Sequence, residues 1–154
     1  MNKWVGRTQR RQCEELVHGA SWVGGSRDQR GPHRRHHGSR STLYETAPDA
    51  AIANGDEYAV AGVQLRAVHT PGHSPGSTCF VAPSLNAVFT GDTLFQGGPG
   101  ATGGSYSDFP TIIESIRTHL LTLPEETVVY TGHGDTTTIG AEKPHLEEWI
   151  ARGH

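Results

Sequence analysis

Residues 46–154 predict a layered α/β domain, and three observations carry that prediction. Apolar runs of strand length recur at Glu57–Val60, Val63–Val68, Thr78–Ala82, Ala87–Thr90 and Thr127–Thr131, bounded by turns rich in Gly, Pro, Asn and Asp. Two other stretches, one after Asp108 and one after Gly140, follow the 3.6-residue period of an amphipathic helix instead. Strands interleaved with helices in one chain build a sheet with helices packed on it. No internal repeat accompanies them.

The first 45 residues read differently. Glu14–Val17 could form a helical turn and Trp22-Val23 an apolar pair. Gly24–Ser41 then runs G-G-S-R-D-Q-R-G-P-H-R-R-H-H-G-S-R-S, with no period and no apolar face, so loop or disorder is expected there. Charge divides at the same place. Residues 1–45 carry nine Lys/Arg against four Asp/Glu, and residues 46–154 carry four against twelve, within a net charge of −3. An arginine-rich arm suits phosphates, but aromatic residues are not interleaved with these arginines, so no nucleic-acid partner is expected. The H-x-x-H-H spacing of His33, His36 and His37 defines no metal site.

Order is expected from about Leu43. The N-G-D turn at Asn54–Asp56 leads into a strand pair, Glu57–Val60 with Val63–Val68. Thr78–Ala82 and Ala87–Thr90, joined by P-S-L-N, read as a hairpin. Gly97–Ser107 is a long Gly/Ser/Thr loop. Asp108 or Thr111 can cap a helix running to about Leu121, with Ile112, Ile113, Ile116, Leu120 and Leu121 on its apolar face. Pro124 ends it, and Thr127–Thr131 reads as a buried strand. A last helix is expected over about Ala141–Arg152, with Leu146, Trp149 and Ile150 toward the core.

The 154 residues suffice for one domain, though 34% apolar content with 20 Gly and 9 Pro implies extensive loops. Cys13 and Cys79 define neither a disulfide framework nor a metal site, and Cys79, inside an apolar strand, is expected to be a buried thiol. No run approaches the ~18 apolar residues of a membrane span, and the N-terminus shows no apolar signal region. No membrane partner and a cytoplasmic location are therefore expected.

The chemistry gathers between Val68 and Asp135. V-H-T-P-G-H-S-P-G-S-T sets His73 in a Pro/Gly turn after a strand. V-F-T-G-D-T-L-F sets Asp92 directly after another strand, and V-V-Y-T-G-H-G-D places His133 after a third. Singly, each is an ordinary solvated turn residue. Together, a histidine, a carboxylate and a second histidine at three strand ends suit zinc or iron, in the place where α/β folds carry their sites.

These segments resemble the metallo-β-lactamase superfamily, and most closely its glyoxalase II-like (hydroxyacylglutathione hydrolase-like) members. The matching pieces are H-T-P-G-H-S-P-G-S at His69–Ser77, G-D-T-L-F at Gly91–Phe95, T-G-H-G-D at Thr131–Asp135 and the tail T-T-I-G-A-E-K-P-H-L-E-E-W. The resemblance covers roughly residues 47–154. It implies an αββα sandwich, of which this chain supplies mostly the C-terminal half, with the first half missing or aberrant. It further implies His73 and His133 as metal ligands and Asp92 as the bridging, catalytically essential carboxylate of two zinc ions. A metal-bound hydroxide would attack a small thioester or ester, such as an acyl-glutathione.

The family's other four ligands belong to a T-H-x-H-x-D-H motif, and no H-x-H occurs in this sequence. Zinc occupancy and activity are therefore expected to be impaired. An arginine often found in the family's loop is also missing from Gly100–Ser105. The composition of residues 1–45 is what an out-of-frame translation of a GC-rich gene would give, so a truncated, inactive fragment is one expectation. A mononuclear-iron persulfide dioxygenase of the same fold is another. There His73 and Asp92 would be ligands and His133 would not. The substrate and the oligomeric state stay open.

Overall fold

A computed structural model describes residues 52–153, and the expectations for residues 1–45 lie outside them. β1 (Glu57–Val60) and β2 (Val63–His69) form a hairpin closed at Val60↔Val63. Its two linking residues, Ala61 and Gly62, both adopt left-handed backbone, at φ 50° and 80°, the geometry of a tight two-residue turn. β3 (Thr78–Ala82) pairs antiparallel with β2 and with β4 (Ala87–Gly91). The 3₁₀ turn Pro83–Leu85 and a left-handed Asn86 join β3 to β4. β7 (Val128–Thr131) lies parallel to β4, and β8 (Thr137–Thr138) antiparallel to β7. The sheet order is β1-β2-β3-β4-β7-β8.

Parallel pairing of β4 with β7 requires a crossover, and the helical segment after Asp108 provides it. α1 spans Phe109–Ser115, begun by Asp108, whose carboxylate accepts from the Thr111 amide at 2.8 Å. Hydrogen bonds from the Thr111 side chain and backbone hold the Asp108 carboxyl below its ordinary value. Of the two expected caps, Asp108 is the one used. The helix then widens into a π turn, Ile116–Leu120, marked by Leu121 N–H donating to the Ile116 carbonyl at 2.9 Å.

The expected C-terminal helix is three short pieces: α2 (Ile139–Glu142), a 3₁₀ turn (Lys143–His145) and α3 (Leu146–Arg152). Pro144 explains the break, since it has no N–H to donate to the preceding turn. Trp149 is fully buried and Leu146 packs partly against the core, as expected. Ile150 instead lies at the surface, 36% exposed. The Gly97–Ser107 segment is also not wholly irregular. Its start pairs with β5 (Leu94–Phe95) through β6 (Gly98–Pro99) in a small antiparallel hairpin.

The sheet is apolar on both faces, and the side-chain alternation sorts its residues between them. One layer contains Val68, Cys79, Val81, Val88 and Val129 under the helical residues Ile112, Ile113, Ile116, Leu120, Ile139 and Trp149. The opposite layer contains Val63, Leu65, Ala67, Phe80, Ala82, Ala87 and Phe89. There Phe89 stacks on Tyr130 with centroids 5.2 Å apart, and Tyr58 meets Phe80 edge-on at 6.2 Å. Burial of each large side chain contributes roughly 1.5–3 kcal/mol, so the central strands are the most strongly held part of the described structure. Among the described residues no helix is long and apolar enough to cross a membrane.

Candidate metal centre

The three residues singled out by sequence pattern do meet, at one edge of the large sheet. β4 and β7 run parallel, so the segments that leave their C-terminal ends emerge side by side. One carries Asp92 and the other His133. β2 runs antiparallel to β3, and the turn between them brings His73 to the same edge.

His73 stands in a loop that is bonded at both ends. Thr70 N–H donates to the Ser77 carbonyl at 2.8 Å, and the His69 ring donates to the Pro75 carbonyl at 2.8 Å. Both ends of α1 brace the loop: Ser115 Oγ, at its last residue, donates to the Pro71 carbonyl at 2.7 Å, and the N–H of its N-cap Asp108 donates to the Gly72 carbonyl at 2.7 Å. The His73 ring meets the Ala101 carbonyl through Nδ1 at 2.8 Å. A carbonyl only accepts, so Nδ1 carries the proton and Nε2 keeps its lone pair in the neutral ring. That free nitrogen faces Asp92, 3.7 Å from Oδ2.

Asp92 sits in the turn closed by Thr93 N–H on the Thr90 carbonyl at 3.0 Å. Two glycines crowd it. A Cβ on Gly132 would lie 2.5 Å from Asp92 Oδ1, and a Cβ on Gly100 would collide with the Asp92 carbonyl oxygen. Only glycine permits the approach of one backbone to the carboxylate and of the other to the Asp92 main-chain carbonyl. Gly132 N–H in turn donates to the Gly91 carbonyl at 2.8 Å, which locks the His133 turn to the Asp92 turn. His133 places Nε2 3.8 Å from Asp92 Oδ1. Its ring packs against Phe95, with centroids 4.6 Å apart.

Each Asp92 oxygen thus faces a different histidine, at a separation too long for a hydrogen bond. A divalent ion binds imidazole nitrogen and carboxylate oxygen at about 2.0–2.2 Å. Two donors on one tetrahedral ion consequently lie about 3.4 Å apart, close to the observed 3.7 and 3.8 Å. Each donor pair would suit one ion, His73 with Asp92 and His133 with Asp92, yet only as a half-site. Among the described residues no group of three or more His, Cys, Asp or Glu side chains converges on one ion. Catalytic zinc takes three protein ligands.

Below the carboxylate lies a polar floor that the sequence reading did not single out. Thr70 Oγ1 is 3.1 Å from both Cys79 Sγ and Thr93 Oγ1, and Cys79 Sγ donates to the Thr90 carbonyl at 3.6 Å. All four residues are at most 1% exposed. The signal was available in part, because Thr70 and Thr93 lie inside the H-T-P-G-H and G-D-T strings. The Ala101 carbonyl left no such signal, since any residue supplies one.

Known proteins bear on this geometry. The model of the metallo-β-lactamase superfamily matches residues 6–133, which include most of the segment without matching motifs. The chain belongs to the metallo-β-lactamase superfamily. It is 59% identical over 88 residues to an uncharacterised 11.5 kDa protein of Rhodococcus erythropolis, covering 56% of this chain and 79% of that one. It is 46% identical over 82 residues to hydroxyacylglutathione hydrolase GloC of Haemophilus influenzae, covering 53% of this chain but 39% of GloC. Among solved structures it is similar to the BLEG-1 B3 metallo-β-lactamase, with TM-score 0.62, 36% identity and coverage of 66% and 49% of the two chains. TTHA1623, solved in a di-iron-bound form, gives TM-score 0.56 and 38% identity over 62% and 46%. ETHE1 from Myxococcus xanthus gives TM-score 0.61 and 30% identity over 75% and 55%. Apart from the Rhodococcus protein, the chain spans about half the length or less of such relatives.

Proposed function

We propose that the chain carries half of the metal centre of a glyoxalase II-like hydrolase, which cleaves a small thioester or ester. One observation carries this reading: Asp92 turns one oxygen toward His73 and the other toward His133. A carboxylate set between two histidines would let Asp92 hold one ion with each of them. Zinc is the metal proposed, and iron the alternative, given the di-iron form of TTHA1623. Either ion, when bound, supplies an acidified water and polarises the substrate carbonyl.

The chain's own residues have narrower tasks. His73 offers Nε2 because Ala101 holds the proton on Nδ1. Asp92 would span the two positions, and Gly132 leaves its carboxylate the room to do so. His133, with its side chain 79% exposed, is the member open to solvent. A thiolate leaves readily, so a thioester substrate asks for little help from a proton donor. Similarity to ETHE1 supports the second reading, a mononuclear-iron persulfide dioxygenase. In that enzyme His133 would have no metal to hold, and its facing of Asp92 would be without purpose.

Ligand count sets the expected affinity. Three donors shared by two positions should retain less than one equivalent of zinc after dialysis, measured by elemental analysis. Asp92→Ala should abolish what is retained, and His133→Ala should lower it. Two tightly held equivalents would overturn the half-site reading. Retention of one iron that is indifferent to His133→Ala would favour the dioxygenase.

A further inference from the structure

Glu142 ends α2 with a carboxylate that is only 3% exposed. Burial of such a group is costly unless each oxygen finds a donor, and here each does. Thr137 Oγ1 donates to Oε1 at 2.6 Å, and the backbone N–H of Gly97 donates to Oε2 at 3.0 Å. Thr137 belongs to β8, close in sequence. Gly97 does not: it is the tip of the β5–β6 hairpin.

That hairpin is the one on which the site is mounted. Its outgoing leg begins directly after Asp92, and its return leg runs through Gly98–Pro99 to Gly100, which lies on the Asp92 carbonyl. The next residue is Ala101, whose carbonyl holds the His73 ring. Gly100 N–H bonds back to the Thr93 carbonyl at 3.1 Å, closing the base of the hairpin. Three residues, Gly98, Pro99 and Gly100, lead from the tip to Ala101. Gly98 lies beside the Trp149 ring and the Arg152 guanidinium of α3.

We propose that Glu142 is a positioning residue for the metal centre: by holding the Gly97 amide, it fixes the hairpin that presents the Ala101 carbonyl to His73. The inference rests on the reading of His73 and Asp92 as ligands, but its effect is visible without metal. Glu142 touches neither His73 nor substrate. It acts through the backbone, keeping the proton on Nδ1 and the Nε2 lone pair directed at Asp92.

The experiment uses the full chain, metal-free, at about pH 8, where imidazole is neutral, and reads the His73 ring nitrogens by NMR together with amide exchange at Gly97. Wild type should show the Nδ1–H tautomer at His73. Glu142→Met keeps the side-chain length and removes both acceptors. Gly97 exchange should then be roughly tenfold faster, the loss of one hydrogen bond to a charged acceptor, and His73 should move to a mixture of tautomers. Glu142→Gln, whose carbonyl oxygen can still accept from Gly97, should restore the wild-type pattern. The proposal is overturned if Glu142→Met speeds Gly97 exchange while His73 keeps its Nδ1–H tautomer. It is equally overturned if Glu142→Met abolishes the dispersed spectrum, because the carboxylate would then hold the whole fold and not the hairpin. Zinc added to the wild type separates the two readings. Resonances of His73 and His133 that do not respond would sink the ligand assignment and leave the effect of Glu142 on the His73 ring intact.

Discussion

Thr70, Cys79, Thr90 and Thr93 make one directed chain of hydrogen bonds under the Asp92 turn. The Cys79 thiol donates to the Thr90 carbonyl, so Thr70 is left to donate to sulfur and to accept from Thr93. Burial pushes the Cys79 thiol up to about 11, and the hydrogen bonds to Thr70 and Thr93 only partly offset it. A folded value above that of the free thiol means that the fold keeps a proton which the unfolded chain releases. Stability from this group is complete below about 9 and is lost as pH rises toward about 11. Native Cys79 should therefore resist iodoacetamide at pH near 8 and react once urea unfolds the chain, as read by peptide mass spectrometry. Wild type should also lose more stability than Cys79→Ala over the alkaline window. Rapid labelling of native Cys79 would contradict the buried ladder. The ladder also marks where sequence reading stops. His73, Asp92 and His133 were legible because three Gly-rich turns, each ordinary alone, follow three strands and together offer two histidines and a carboxylate. Ala101 and Glu142 were not, since one acts through a backbone carbonyl and the other bonds a glycine amide far away in sequence.

Among the elements, α1 with its π turn joins core to site. Ile112 is fully buried against the sheet, while the two ends of the same helix brace the His73 loop through Ser115 and the Asp108 amide. Ile112→Ala should cost about 2–5 kcal/mol, the range for deleting a large buried aliphatic side chain, measured by urea unfolding. A cost below about 1 kcal/mol would mean that the site collapses around the gap or is less packed than it stands here. The five long strands and this helix were legible because their apolar periods are unambiguous and their ends carry Pro, Gly or Asp. The β5–β6 hairpin was not. Its strands are two residues each, and its Gly-Gly-Pro content reads as loop. Its order comes instead from burial of Leu94, the Thr90 hydroxyl on the Leu94 carbonyl, the Gly100–Thr93 bond at its base and Glu142 at its tip. The C-terminal helix was placed correctly but drawn too continuous, because the apolar period through Leu146 and Trp149 masked the interruption at Pro144. Ile150 was misplaced for a related reason. It follows the helical period, but the short α3 leaves it at the rim of the core.

At the scale of the whole molecule, a sheet with two buried faces and the half metal centre proposed at its edge describe the same arrangement. Helices cover one face, the other carries an apolar layer of its own, and the edge above both brings His73, Asp92 and His133 together. The family resemblance assigns the remaining donors to a T-H-x-H-x-D-H segment, and the sequence contains no H-x-H. Supplying that segment tests whether the described half is competent. In a chimera, residues 1–45 are replaced by a first-half segment that bears the motif and is spliced ahead of Ala47. Seven ligands would then be present, and His73, Asp92 and His133 already stand within about an ångström of the spacing that two shared ions require. The chimera should hold two equivalents of zinc through dialysis and hydrolyse an acyl-glutathione thioester, where the parent chain shows little above background. Asp92→Ala in the chimera should remove both properties, because the bridge is lost to both ions at once. His133→Ala should empty one position and lower hydrolysis strongly, since the second ion no longer polarises the carbonyl. If the chimera instead takes up a single iron, consumes oxygen with a persulfide and tolerates His133→Ala, the bridge inferred at Asp92 does not operate and the hydrolase reading fails.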